Sequence, residues 1–378
     1  MIDFEAEADL ARCGALKDFW YVACLSEELG RDKPLARTIF GTALVLFRDE
    51  AGRPVALLDR CLHRNARLSA GDVFDGKLGC AYHGWVYDRT GRVVEVPSLG
   101  PRQTSEALDA DACAAHGIRQ KTSELGCVPR FDTLEQDGLV YVFMGGDSQR
   151  ARRPAFRVPY FGEPGWVVYF MVTDFPNGVT NLVENFMDVP HTGFVHRGWF
   201  RKPARREVPA TVTRDAGSVL VRYEQRSDEL TGLGRIFAVG GEGMEHTDHW
   251  FMPNVTRVDY RWGPKSGFAI NSQVTPVSAL QSRVYTAISY RLPFDLPRTV
   301  VARALMPLVR WYTRQVIVQD VEIMQIQHEG LQGEGAGRFL STEADLLHAW
   351  IEDCRAWLLA GGEGEGPRDE QRRIVFWT

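Results

Sequence analysis

No stretch of this chain is long and apolar enough to span a bilayer, because the best run, Thr299 to Val318, is interrupted by Arg303, Arg310 and Arg314. A membrane anchor is therefore not expected. Positive charge is not in excess either: 44 basic residues face 49 acidic ones, for a formal net charge of -5. That balance gives no reason to expect nucleic acid or an anionic lipid surface as partner. The opening stretch carries Asp3, Glu5, Glu7 and Asp9 where a signal peptide would have a basic region followed by an apolar one. Seven cysteines form no regular disulfide framework, and a reducing cytoplasm suits them. There is no internal repeat. No Gly-x-Gly-x-x-Gly joins a strand to a helix, so the chain is not expected to bind a nicotinamide cofactor itself. A globular chain of 378 residues, 44% hydrophobic, is long enough for two domains.

Against that background two Cys/His clusters stand out, Cys61-Leu62-His63 and Cys80-Ala81-Tyr82-His83. Each offers one thiolate and one imidazole. Two mixed pairs suit a two-iron, two-sulfide centre in which one iron takes both cysteines and the other both histidines. Gly79, Tyr82, Gly84 and Trp85 give the second cluster a tight turn with bulky cover. A structural zinc site is the competing reading, although zinc fingers usually group two cysteines and then two histidines.

A second constellation lies in Asn181 to His196, where Asp188, His191 and His196 follow the spacing Asp-x-x-His-x4-His. Imidazole and carboxylate are the donors of a mononuclear ferrous site, in a facial triad that leaves positions open. On a continuous helix Glu184, Asp188 and His191 share one face and His196 does not. Pro190 and Gly193 let the segment distort until both imidazoles converge. An ordinary pair of helix-end histidines is the alternative.

The triad needs a carboxylate, and the helical run from about Arg298 to His328 offers Asp320 on a face with Val309, Thr313, Val316, Ile317, Ile323, Met324 and Gln327. An inward carboxylate calls for a cation or several donors. A ferrous ion answers that need, and so would Arg310 or Arg314. Glu322 lies on the opposite face.

Taken with Arg64 and His83-Gly84-Trp85, the stretch Cys61 to His83 resembles the Rieske cluster of Rieske-type non-heme iron oxygenases, and Asp188, His191 and His196 match the same family's mononuclear iron motif. The resemblance implies cluster ligands Cys61, His63, Cys80 and His83, and iron ligands His191, His196 and Asp320. It implies that Asp188 bridges the two centres across the interface of a homotrimer, between His83 of one subunit and His191 of the next. Asn185 and Glu184 fall in the same family stretch, near the iron. It further implies a terminal oxygenase that receives electrons from NAD(P)H through a separate reductase, with or without a ferredoxin, and uses O2 on a small organic substrate. The chain looks more like members of one subunit type that hydroxylate or remove O- or N-methyl groups than like cis-dihydroxylating ones. A non-catalytic electron carrier and a zinc-stabilised binding protein are the readings from other classes.

The expected fold is α+β: an all-β cluster domain at residues 18–148, and a catalytic domain at residues 1–17 and 149–378 with an antiparallel sheet covered by helices. Strand-like runs are Arg37 to Phe47, Arg53 to Leu58, Tyr87 to Val96 with a break at Asp88-Arg89-Thr90-Gly91, and Leu139 to Phe143. Gly145-Gly146-Asp147 and Arg150 to Pro154 read as a linker. Thr211 to Gln225 reads as a hairpin, and Gly267 to Arg291 as a longer one connected through Pro276 to Ala279. Thr342 to Asp345 opens a helix with a capping box, and Gly361-Gly362 closes it. Gly362 to Gly366 and Arg368 to Arg373 read as solvated tail. His246 and His249 fall on opposite faces of a strand, which argues against shared metal binding but leaves a pocket-lining role for one of them. Phe237, Trp250, Phe251, Tyr260 and Phe268 read as sheet core, with a pocket lining as the second reading. Substrate identity is not encoded in any motif, since the loops around Arg226 to Glu245 and Gly330 to Leu340 carry none.

Overall fold

The computed structural model describes residues 16–101, 119, 121–146, 153–199, 207–224, 237, 243–293, 299–332, 339–362 and 365–377. The chain divides into two compact units, one of residues 17–155 and one made chiefly of residues 156–378. Outside the described residues lie Cys13 and Cys113, residues 147 and 150–152 of the expected linker, Gln225 of the expected hairpin, and most of the two loops expected to shape the pocket, 226–236, 238–242 and 333–338.

The first unit is all β. Its strands are β1 (Trp20–Leu25), β2 (Leu35–Ile39), β3 (Thr42–Arg48), β4 (Pro54–Leu58), β5 (Asp72–Phe74), β6 (Lys77–Gly79), β7 (Val86–Tyr87), β8 (Val93–Glu95), β9 (Arg130–Gln136) and β10 (Leu139–Phe143). Six form a sheet in the order β1-β10-β9-β4-β3-β2, and four form a smaller one in the order β5-β6-β7-β8. β10 is apolar at every position and buried throughout, as a strand covered on both faces should be. The run from Arg37 to Phe47 is two strands, not one. Phe40 and Gly41 both have positive φ, 50° and 70°, and fold β2 back on β3 with Ile39 opposite Thr42. Phenylalanine is a poor residue for that conformation, so the turn leaves little trace in residue type.

The second unit is built on β11 (Val167–Phe175), β12 (Glu207–Arg214), β13 (Ser218–Tyr223), β14 (Met244–Phe251), β15 (Val255–Trp262), β16 (Ser266–Ser278), β17 (Gln281–Arg291) and β18 (Glu370–Trp377). These make one eight-stranded antiparallel sheet in the order β11-β17-β16-β15-β14-β13-β12-β18. Three helices accompany it: α1 (Val179–Met187) against β14 to β16, α2 (Val300–Gln332) against β11, and α3 (Leu346–Leu359) against β13. The architecture is the expected α+β. Two details differ. The end read as solvated tail is β18, which pairs along all of β12; its charged residues face water while Ile374 and Phe376 are buried, the alternation of an edge strand. Pro276 also lies inside β16, beside a register irregularity, where proline is tolerated.

α1 stops at Met187, where Pro190 has no N–H to donate to the Phe186 carbonyl and so cannot extend the helix. Asp188 is already extended (φ -88°, ψ 105°), and residues 190–193 form a short 3-10 turn. No helix among the described residues is long and apolar enough to cross a membrane.

Candidate active site

The loops between β4 and β5 and between β6 and β7 carry the two Cys/His clusters on one backbone plan. Cys61 N–H donates to Ala66 O and Cys80 N–H to Trp85 O, both at 2.8 Å; Asn65 N–H and Gly84 N–H return to Cys61 O and Cys80 O, both at 3.0 Å. Asn65 (φ 58°) and Gly84 (φ 71°) are both left-handed, which only Gly and, less readily, Asn adopt at small cost. At Gly84 a Cβ would also press on Pro97 Cγ at 3.0 Å.

Cys61 and Cys80 are buried at 1% and 4% exposure, while His83 is exposed and His63 half-buried. The two imidazole centroids lie 4.6 Å apart, and His63 stacks parallel on Trp85 at 4.7 Å. His63 Nδ1 is buried with no hydrogen-bond partner, an arrangement that costs free energy unless something takes the lone pair. Tyr87 is fully buried and its Oη accepts the Leu62 N–H at 3.0 Å, which leaves the phenol proton for Cys61 Sγ at 3.1 Å. Burial pushes the Cys80 thiol up, with Cys61 adding to it, a cost that a metal relieves by binding thiolate. These four side chains suit a Rieske centre: two buried sulfurs for one iron and two outer imidazoles for the other.

In the second unit the structure brings His191, His196 and Asp320 together, with one donor atom from each within 4.8 Å of the others. Asp320 Oδ1 lies 3.1 Å from His196 Nε2 and 3.6 Å from His191 Nε2, and accepts from Asn185 Nδ2 at 3.1 Å. The other ring nitrogens are held. His196 Nδ1 meets Gln319 Oε1 at 3.0 Å, and His191 Nδ1 meets the Asp188 carbonyl. An acceptor at Nδ1 keeps the proton there and turns the Nε2 lone pair toward the metal position. Burial alone would raise the Asp320 carboxyl, but the two imidazoles beside it prevail and hold it well below the carboxylate range. An ionised carboxylate beside two imidazoles is a donor set for a divalent cation.

Neither arginine weighed as a partner for Asp320 pairs with it among the described residues; Arg310 lies over the Tyr169 ring. Asp188 is 37% exposed in its side chain, and its Oδ2 accepts the His191 N–H at 3.2 Å. Glu184 lies 4.0 Å from His348. Two positioning groups escaped sequence reasoning. Gln319 carried no signal, being one polar residue among several on α2. Asn177, fully buried, donates to Gln327 Oε1 at 2.9 Å and Met324 O at 3.2 Å while its Oδ1 accepts from Gly178 N–H at 2.9 Å. It ties the start of α1 to α2, and its only trace in the sequence is the turn-prone Pro176-Asn177-Gly178.

A cavity of about 130 Å³ opens beside this triad, walled by α1, α2 and one face of the sheet. Three cross-strand rows tile that face: His246–Tyr260–Phe268–Tyr290, Asp248–Val258–Ile270–Ile288 and Trp250–Thr256–Ser272–Thr286. His246 and Asp248 both line the cavity, bonded at 3.0 Å with side chains 1% and 3% exposed.

The Rieske [2Fe-2S] domain family matches residues 19–124, which hold both Cys/His loops. The vanillate O-demethylase oxygenase C-terminal domain family matches residues 179–349, which hold both histidines and Asp320. The two matches define a Rieske protein joined to an oxygenase-type iron domain. The chain belongs to the Rieske-type non-heme iron oxygenases.

It is 36% identical over 185 residues to the oxygenase component of dicamba O-demethylase from Stenotrophomonas maltophilia, 48% of each chain. It is 30% identical over 356 residues to protein TIC 55 of Arabidopsis thaliana, 91% of this chain and 60% of that one. Dicamba monooxygenase bound to dicamba shares the fold, with TM-score 0.72 at 21% identity over 92% of this chain and 98% of the other. The matched stretches span from 26% to 67% of the lengths of the curated relatives.

Proposed function

We propose that this chain is the terminal oxygenase component of a Rieske system, inserting one atom of O2 into a small organic substrate by hydroxylation or by oxidative O- or N-demethylation. The observation that carries the reading is the convergence of His191, His196 and Asp320 on the wall of a largely apolar cavity, in a chain that also has a Cys2His2 set suited to a Rieske cluster. When bound, ferrous iron at the triad supplies oxygen activation, and the cluster, through Cys61, His63, Cys80 and His83, supplies single electrons. The chain's own residues orient and exclude. Gln319 and the Asp188 carbonyl hold the two imidazoles by their Nδ1 sides, and Asn185 steadies Asp320. Phe175, Phe186, Val316 and Ile317 keep water from the cavity.

Electrons come from NAD(P)H by way of a separate reductase, with or without a ferredoxin. The assembly is a homotrimer in a reducing cytoplasm, with Asp188 bridging between His83 of one subunit and His191 of the next. The exposed Leu62 and Tyr82 beside the cluster, 39% and 65% accessible, support a partner surface there. The free described cysteines support the compartment. Turnover under labelled O2 with a generic reductase tests the reaction: one label atom in the product is expected. Two label atoms in one product molecule overturn the monooxygenase assignment.

A further inference from the structure

We propose that Asp248, held by His246, is the substrate-recognition group of the cavity. Together with the hydroxyl row Thr256–Ser272–Thr286 it selects a compact one-ring molecule presenting an N–H or O–H donor over an anion of the same shape. The proposal rests on the oxygenase reading only in taking this cavity as the substrate site.

The sheet face explains why a carboxylate here is out of keeping with packing. Along its own row Asp248 is followed by Val258, Ile270 and Ile288, and a branched aliphatic at 248 would continue that surface. An ionised carboxylate at 3% side-chain exposure is costly unless donors meet it. One imidazole meets one oxygen: His246 Nε2 bonds Oδ1 at 3.0 Å. His246 cannot swing away, because its ring is stacked between Tyr223 at 4.5 Å and Tyr260 at 4.0 Å. The pair is therefore a fixed acceptor aimed at the cavity and able to take a further donor at Oδ2.

The neighbouring row adds short hydroxyls. Thr256, Ser272 and Thr286 follow one another across β15, β16 and β17, with Ser272 Oγ and Thr286 Oγ1 3.3 Å apart. Hydroxyls can donate or accept, but they do not neutralise an anion. Among the described residues lining the cavity there is no lysine or arginine, and beyond Asp320, whose charge the iron would offset, Asp188 and Asp248 face it. Size narrows the class further. A cavity of about 150 Å³ accommodates benzene, and this one measures about 130 Å³.

Calorimetric titration of the iron- and sulfide-replete protein with benzylamine, benzyl alcohol and benzoate tests this directly, since the three share a ring and differ in their polar end. Benzylamine and benzyl alcohol are expected to bind at least about tenfold more tightly than benzoate, the difference one charge-assisted hydrogen bond makes. Asp248→Asn, with iron content unchanged, should remove the advantage of benzylamine, and His246→Gln should weaken it. Benzoate binding as tightly as the other two overturns the proposal, as does failure of all three to bind in the millimolar range. An unchanged ranking in Asp248→Asn does so too. The wild-type ranking decides even if a variant fails to fold. Because heat of binding is read without turnover, recognition can fail while labelled-oxygen insertion succeeds, and the reverse.

Discussion

The proposed cluster site takes all its donors from two short loops beside a small sheet, Cys61 to His63 and Cys80 to His83. The triad in the catalytic unit joins the end of α1 to the middle of α2, so that Asn185 and Asp320, in hydrogen-bond contact, are 135 positions apart. In the first region each cysteine is fixed by its own loop's backbone hydrogen bonds. In the second the donors are fixed by side chains reaching between elements: Asn177 to α2, Asn185 to Asp320, Gln319 to His196. Local loops suit a centre that only exchanges electrons, whereas a site that must shape a cavity is assembled from distant segments.

The sharpest test of that contrast is Asp320→Ala. It should abolish mononuclear iron binding and lower turnover at least about hundredfold, while the cluster keeps its visible spectrum; loss of both centres together would break the distinction. Arg355→Met comes next. Arg355 is 1% exposed and donates to Thr180 Oγ1 at 2.9 Å and Asn254 Oδ1 at 2.7 Å, joining α3 to the start of α1. Leaving those groups without it should cost the catalytic unit about 3–5 kcal/mol in urea unfolding, with the cluster signal unchanged in native buffer.

Gln319→Leu should weaken iron binding about 10- to 100-fold by freeing the His196 ring, measured by chelator competition. Tyr87→Phe is the matching change in the cluster. Removing its hydrogen bond to Cys61 Sγ should lower the reduction potential by about 59 mV, a tenfold change in a one-electron equilibrium, with no loss of iron. The smallest effect concerns pH. The Arg48 guanidinium, bonded to both Glu135 oxygens, holds that carboxyl below its ordinary 4.5 against the opposing effect of burial. Its contribution is complete above 4.5 and disappears as pH falls through the lower folded value. Glu135→Gln should therefore reduce stability at pH 7 by less than about 1 kcal/mol, a deficit that vanishes by about pH 2, where Glu135 is itself uncharged, read from urea midpoints; Arg48 keeps its bonds to the Ser26, Leu29 and Gly52 carbonyls throughout.

What could be read in advance follows the same division. The cluster loops were legible because their chemistry is local in sequence, and so was the direction of Asp320, since a helical face repeats regularly. The edge strand β18 was misread because Glu370, Arg372 and Arg373 look solvated, although Ile374 and Phe376 alternate with their neighbours as a strand requires. The Phe40-Gly41 turn escaped because phenylalanine seldom takes a positive φ. His246 and Asp248 were ordinary strand residues until the register set them across from Tyr260 and Val258. Gln319 and Asn177 act only through partners on other elements, which no spacing rule reveals.

α2 runs for 33 residues and is pinned at several heights, by Tyr290 to Ala302 O at 2.5 Å, by Tyr169 to Thr313 at 2.9 Å, and by Asn177 to Gln327. Such a rod tolerates changes of side chain far better than changes of length. One residue added between Thr313 and Asp320 would swivel everything beyond it by about 100°, carrying the carboxylate off the histidines while the upper pins stay put. Lineages that retool this cavity are thus confined to point replacements along α2, and insertions and deletions are left to the surface loops.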